Sequence, residues 1–226
     1  MDEVVFNHLN SLNGGTASFD LALRNSQIAV FKSLPFALVL WALWFSASES
    51  EGRRTSRERL VAALLCMVPI IGLTRLIANF APFSARPLHA DGFELNLQDS
   101  QSRATLDGWS SMPSDHASLF FGFAVAVLTI NRKAGMFLLL WSVLVVSMPR
   151  VIMGLHWPSD IVAGWCIGAS IALVLMRPVS SLVRRAQVIP YFEKREAVGY
   201  PLLFFATFEF TQMFATGRRL IDLLFL

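Results

Sequence analysis

The sequence predicts an all-α, polytopic membrane helix bundle with about six transmembrane helices. Three observations carry that expectation. Of 226 residues, 54% are hydrophobic and only 15% are charged, where a soluble domain carries about 25% charge. The apolar residues fall in blocks of about 20 residues, the length that crosses a bilayer core. The basic residues are dispersed between those blocks, and the net charge of +3 is small. That charge fits membrane topology and excludes nucleic acid as a partner.

The elements follow in order. Val4, Val5, Leu9 and Leu12 line one face of a short interfacial helix at about 4–13, ended by Gly14-Gly15. No basic n-region precedes an apolar core, so the first span, 28–46, is expected to act as the insertion signal. Pro35 kinks it without preventing insertion. A polar loop, 48–59, leads to a second span at 60–80. Residues 81–113 form a long polar connection containing Pro82, Pro87, Asp91, Glu94, Asp99 and Asp107, and connections of that length are often functional. The third span is expected at 114–130 and the fourth at 134–148, joined by Asn131-Arg132-Lys133. Pro158 opens the fifth, which ends near Met176. A basic connector, 177–195, precedes a weaker sixth segment at 200–216. Glu209 and Gln212 interrupt that segment, so it either spans or lies along the surface.

The chain thus reads as a single domain, 1–226, with its functional core at about 60–178. Cys66 and Cys166 sit alone in apolar blocks and read as packing residues, with no disulfide or zinc site. His8 and His89 read as loop or interfacial residues.

Charge sets the orientation. Loops 49–59, 131–133 and 177–199 carry Arg53, Arg54, Arg57, Arg59, Arg132, Lys133, Arg177, Arg184, Arg185, Lys194 and Arg195. The opposite loops, 81–113 and 149–157, carry only Arg86, Arg103 and Arg150. Positive loops stay cytoplasmic, which turns the long connection outward.

Three polar stretches abut the spans on that outer face: Asn79 to Pro87, Pro113 to His116, and Pro149 to Asp160. Asp160 follows His156 by four residues, in the first turn of the fifth span. Its carboxylate either fixes the tautomer of His156, freeing the other ring nitrogen to attack, or caps the helix. Arg150 either clamps phosphoryl oxygens with its planar fork or snorkels to the interface. Ser114 is a helix N-cap, and the free N–H groups of such a turn also bind anions. There His116 is placed to protonate a leaving group. Arg86 is a solvated loop charge or a further phosphate ligand. Cations, a hydroxyl and imidazoles at the ends of membrane helices suit the phosphate of a lipid.

The order of these pieces resembles the type 2 phosphatidic acid phosphatase superfamily, which shares its site with vanadium haloperoxidases. The first family motif, Lys, six residues, Arg-Pro, falls on Asn79, six residues, and Arg86-Pro87. The second, Pro-Ser-Gly-His, falls on Pro113, Ser114, Asp115 and His116. The third, Ser-Arg, five residues, His, three residues, Asp, falls on Pro149, Arg150, His156 and Asp160.

The resemblance implies His156 as a nucleophile forming a phosphohistidine, Asp160 orienting it, and His116 protonating the leaving group. Arg86, Arg150 and Ser114 would bind phosphoryl oxygens, with no metal and no cofactor. Three departures stand out. Asn79 replaces the lysine, leaving a hydrogen-bond donor without its charge. Arg75, one helical turn earlier, either reaches the site in its place or snorkels. Pro149 replaces a serine and removes a hydroxyl. Asp115 replaces a glycine, keeping the N–H but adding a charge that repels phosphate unless it is paired.

The Asp form of the second motif is similar to that of bacterial undecaprenyl-diphosphate phosphatases. The resemblance therefore implies a polyprenyl diphosphate substrate and a bacterial inner membrane, with the active site on the periplasmic side. The partners are the lipid substrate and the bilayer, and no obligatory protein partner is inferred. Other lipid phosphates (phosphatidic acid, phosphatidylglycerol phosphate, lipid A), lipid phosphotransfer, lipid transport and an inactive structural homologue are the rival readings.

Overall fold

A computed structural model of the chain describes residues 2–46, 50–90, 95–97 and 106–217. Asp91, Glu94, Asp99 and Arg103 of the long connection, part of the 48–59 loop and the last nine residues lie outside the described residues. Among the described residues the α-helices run in the order α1 Asp2–Asn10, α2 Ala17–Gln27, α3 Ala29–Ser46, α4 Ser50–Phe80, α5 Asp115–Leu128, α6 Arg132–Trp141, α7 Met148–Ile152, α8 Pro158–Arg185, α9 Val188–Lys194 and α10 Glu196–Thr211. A π-helical stretch, Ser142–Ser147, joins α6 to α7, so 132–152 is one rod. The protein is an all-α membrane helix bundle. Four segments are long and apolar enough to cross a membrane: α3, 52–80 of α4, the 132–152 rod and α8. The third expected crossing falls on α5, apolar but only 14 residues long, and the sixth on the 16-residue α10.

α5 is the centre of the bundle. Its sequence is apolar all round, as a helix enclosed by other helices requires. Leu119, Phe120, Phe123, Ala124, Ala126 and Val127 are fully buried. Phe120 and Phe123 meet Phe36 of α3 and Phe210 of α10, with ring centroids 4.6–6.2 Å apart. α4 presents Leu60, Ala63, Met67, Ile70 and Thr74 to this core, a three-four spacing that keeps one face inward.

α8 crosses α5 at glycines. A Cβ on Gly168 would stand 2.1 Å from the Ser118 carbonyl oxygen, and one on Gly164 would stand 2.6 Å from that of Ser114. Small residues let helix backbones touch inside a membrane, where dispersion rather than the hydrophobic effect drives packing.

Two expected connections are helical instead. α4 starts at Ser50, inside the expected loop 48–59. Its Arg57 is buried, donates from Nε to the Trp44 carbonyl at 3.2 Å, lies 4.9 Å over the Trp44 ring and pairs with Glu193 at 3.2 Å. α8 runs nine residues beyond Met176 because Ser180 and Val183 continue the buried face at helical spacing. Cys66 is buried in the core, whereas Cys166 is exposed on α8.

The N-terminal segment packs differently from the expected interfacial helix. Val4 and Val5 of α1 are exposed, and Phe6 and Asn10 are buried. Phe6 meets Trp157 edge-on at 5.1 Å, and Asn10 donates to the Ile152 carbonyl at 2.8 Å. Ser159 donates to Asp2 through its N–H at 3.0 Å and its hydroxyl at 2.6 Å. α1 thus holds the turn between α7 and α8 from outside. α2 was not expected from the sequence. Thr16 caps it, accepting from the Phe19 N–H at 3.3 Å.

Candidate active site

Main-chain hydrogen bonds lace the three polar stretches together. Ser111 N–H donates to the Ser84 carbonyl at 2.8 Å, Leu88 N–H to that of Gly154 at 2.9 Å, and Ser114 N–H to that of Asp160 at 3.1 Å. The Trp157 indole N–H adds a bond to the Ala85 carbonyl at 2.9 Å. Segments distant in sequence become one platform at the shared end of α4, α5, α7 and α8.

The connector between α7 and α8 delivers His156. Gly154 turns it with φ +69°, a region glycine enters without steric cost. Leu155 and His156 N–H groups donate to the Arg150 carbonyl at 2.9 and 3.2 Å. The His156 ring is buried. Its Nδ1 lies 2.9 Å from the Ser111 carbonyl oxygen and 3.6 Å from Asp160 Oδ2. Its Nε2 lies 3.2 Å from Arg86 Nη1. A guanidinium only donates, so Nε2 accepts and the ring proton rests on Nδ1, facing the carbonyl. Burial pushes the His156 imidazole below its ordinary pKa; Asp160 opposes that shift, and Arg150 and Arg86 add to it. The ring is therefore neutral at pH 7, with its lone pair toward the cavity.

Asp160 caps α8 and reaches His156 through Ser111 rather than by a direct hydrogen bond. Its Oδ2 accepts from the Trp157 N–H at 2.8 Å, closing the first turn of α8. The same oxygen accepts a short bond from the Ser111 hydroxyl. Ser111 thus bridges the carboxylate and the imidazole, with its hydroxyl on one and its carbonyl on the other. Sequence reasoning missed it because half of its contribution is main chain.

Arg86 leaves α4 on an extended segment and is buried. Nη1 donates to the Leu155 carbonyl at 2.6 Å and Nη2 to that of Ser110 at 3.2 Å. Burial pulls its pKa down while Asp115 and Asp160 pull it up, and a guanidinium has ample margin to stay charged. Arg150 is also buried, and its side chain makes no hydrogen bond among the described residues. The π-helical stretch precedes Pro149, which cannot donate to the preceding turn, and the rod still reaches the site with Arg150 on its last turn.

On the other side, Ser114 caps α5, accepting from the Ala117 N–H at 3.5 Å, and is fully buried. Asp115 is paired. Its Oδ2 takes a short ion pair from Arg75, and its Oδ1 accepts from the His116 N–H at 3.0 Å and faces His116 Nδ1 at 3.3 Å. Arg75 lies 4.8 Å under the Trp109 ring. His116 Nε2 is met at 3.2 Å by Lys32 Nζ, from the first turn of α3. Nothing local marks Lys32 as a site residue, because a lysine near the end of a span reads as snorkelling.

One cavity of about 250 Å³ collects the chemistry. Arg75, Arg86, Arg150, Asp115, His116 and His156 line it, with Trp109, Leu106 and Met213 as its apolar wall. Asn79 is exposed on α4, and neither it nor Ser114 lines the cavity. Three guanidinium groups against one carboxylate, itself paired, leave an excess of positive charge with donors aimed inward. Such a pocket binds a multiply charged anion.

The chain matches the PAP2 superfamily over residues 81–184. Those residues are similar to a PAP2 domain. Related proteins include the bacitracin transport permease protein BcrC of Bacillus licheniformis, 29% identical over 63% of this chain and 68% of that protein. The undecaprenyl-diphosphatase BcrC of Bacillus subtilis is 26% identical over 70% and 78%. The lipid A 4'-phosphatase of Bacteroides thetaiotaomicron is 40% identical over a shorter stretch, 27% of this chain and 28% of that protein. No solved structure matches the chain. The PAP2 match, the phosphatase-named relatives and the apolar helices together support a multi-pass membrane lipid phosphatase. Lys32 and Arg75 reach its cavity from outside the matched PAP2 stretch.

Proposed function

We propose that the chain hydrolyses a polyprenyl diphosphate to the monophosphate at the outer face of a bacterial inner membrane, through a phosphohistidine and without a metal. The observation that carries this reading is the neutral His156 ring, hydrogen-bonded through Nδ1 and opening Nε2 onto a cavity of three arginines. The tail stays in the bilayer and the terminal phosphate enters the cavity. His156 Nε2 attacks phosphorus, forming a P–N bond as the bond to the bridging oxygen breaks. That oxygen takes a proton from His116, whose imidazolium form is favoured once phosphate charge fills the cavity and draws the Lys32 ammonium onto its oxygens. Water then attacks phosphorus while His116 takes its proton; the P–N bond breaks, its electron pair returns to His156 Nε2, and inorganic phosphate leaves. Arg86, Arg150 and Arg75 meet the equatorial oxygens, where positioned charge supplies most of phosphoryl-transfer catalysis.

The names of the relatives support the polyprenyl substrate, and one of them supports lipid A as the second choice. A panel of polyprenyl diphosphate, phosphatidic acid, phosphatidylglycerol phosphate and a lipid A analogue, compared by kcat/KM, separates them. The polyprenyl substrate should lead, and a lead by any other member reassigns the enzyme. Vanadate should inhibit and EDTA should leave the rate unchanged. A strict requirement for magnesium would remove the mechanism.

A further inference from the structure

A second charged cavity lies at the other end of the bundle. It has a volume of about 410 Å³ and is bounded by Arg59 of α4, Thr129 at the end of α5, and Leu173, Arg177, Ser180 and Arg184 of α8. Roughly twenty residues of α8 separate Asp160 from Ser180, about 30 Å along the helix and close to the thickness of a hydrocarbon core. This cavity therefore opens near the leaflet opposite the active site.

Its charge is unbalanced. Arg184 pairs with Glu58 at 3.0 Å, but Arg59 and Arg177 have no ion pair among the described residues. Ser180 adds an independent mark. Ser33, Thr74, Ser118 and Thr207 each donate to the carbonyl one turn back in their helices. Ser180 is buried, and its hydroxyl has no hydrogen-bond partner among the described residues. A buried donor left unsatisfied costs free energy that a bound acceptor would recover. Beside the arginines, Leu173 is 59% exposed and Val174 is 70% exposed. A polar cup thus opens beside an apolar helix face that an acyl chain can cover.

We propose that this cavity binds the phosphate of an anionic phospholipid in the leaflet opposite the active site. Arg59 and Arg177 donate to the phosphate oxygens, the Ser180 hydroxyl completes the cup, and an acyl chain lies along Leu173 and Val174. The free phosphate ion shares the headgroup chemistry, but it would leave that apolar face uncovered.

The test uses the full chain in nanodiscs of phosphatidylcholine with or without phosphatidylglycerol, counting retained lipids by native mass spectrometry. The wild type should retain phosphatidylglycerol in preference to phosphatidylcholine. Arg59→Gln with Arg177→Gln should cut that preference at least about tenfold, as expected from losing two charged hydrogen bonds, while turnover in phosphatidylcholine stays at the wild-type rate. Thr129→Trp, which fills the mouth and keeps both charges, should do the same and covers the case in which the double variant does not fold. His156→Ala should retain the lipid, so the site is tested apart from the phosphatase reading. No preference in the wild type, or an unchanged preference in either variant, would overturn the proposal. Displacement by millimolar inorganic phosphate would replace the lipid with the free anion.

Discussion

His156 and His116 occupy matching settings assembled from different parts of the chain. At each ring Nε2 meets a cation and Nδ1 faces an oxygen. For His156 these are Arg86 at 3.2 Å and the Ser111 carbonyl at 2.9 Å. For His116 they are Lys32 at 3.2 Å and Asp115 at 3.3 Å. The partners of His156 belong to stretches tied by main-chain hydrogen bonds. The cation beside His116 comes on a long side chain from α3, whose Val30, Phe31, Leu34 and Leu38 are exposed. The setting of His156 is fixed by backbone, and that of His116 rests on a long side chain. That division suits a reaction in which one ring must hold its aim and the other must gain and lose a proton.

Removing each ring tests the division. His156→Ala should lower kcat by about 10⁴-fold or more for every substrate, since it removes the lone pair proposed to attack phosphorus. Measurable turnover by folded protein would end the assignment. His116→Ala should cost about 10²–10⁴-fold with a lipid phosphate whose leaving group needs a proton. The loss should shrink as the leaving group improves, whereas the His156→Ala loss should not. A loss independent of the leaving group would make His116 a binding residue.

Lys32→Met probes the side-chain partner alone. It should lower kcat about tenfold and shift the alkaline limb of the pH profile, because the ring it touches handles the proton. A change confined to KM would make Lys32 a phosphate ligand only.

The smallest effect concerns acidity. Burial holds the folded pKa of His156 below its ordinary 6.5, so the attacking form persists on mild acidification. The acid limb of kcat/KM assigned to this ring should lie below pH 6.5. The sign for stability agrees. Between the folded pKa and 6.5 the unfolded chain binds the extra proton, so this histidine's contribution is present above pH 6.5 and fades as pH falls through the folded value. An acid limb centred above pH 6.5 that disappears in a His156 variant would contradict the buried, neutral ring.

Much of this was legible in the sequence because apolar blocks and helix caps are local signals. The runs behind α3, α4, α5, the 132–152 rod and α8 announce themselves by length, and Pro158 marks where α8 begins. What escaped was decided in three dimensions. Residues 177–185 look like a connector because their charges hide a continuing buried face. Ser111 acts partly through its carbonyl, which no side-chain pattern encodes. Lys32 is unremarkable in its own span and acquires meaning only where α3 meets α5. The two readings of Arg75, reaching the site or snorkelling, were separated by an ion pair with Asp115 and a ring from Trp109, forty and thirty-four residues on.

The glycine contacts between α5 and α8 have a consequence for rate. One rod carries His116 in its first turn, and the other carries Asp160 in its own. They touch backbone to backbone at Gly164 and Gly168. The gauge between His116 and Asp160 is therefore set at a seam that holds neither of them. A single methyl group there acts as a shim, opening the jaws of the site from below.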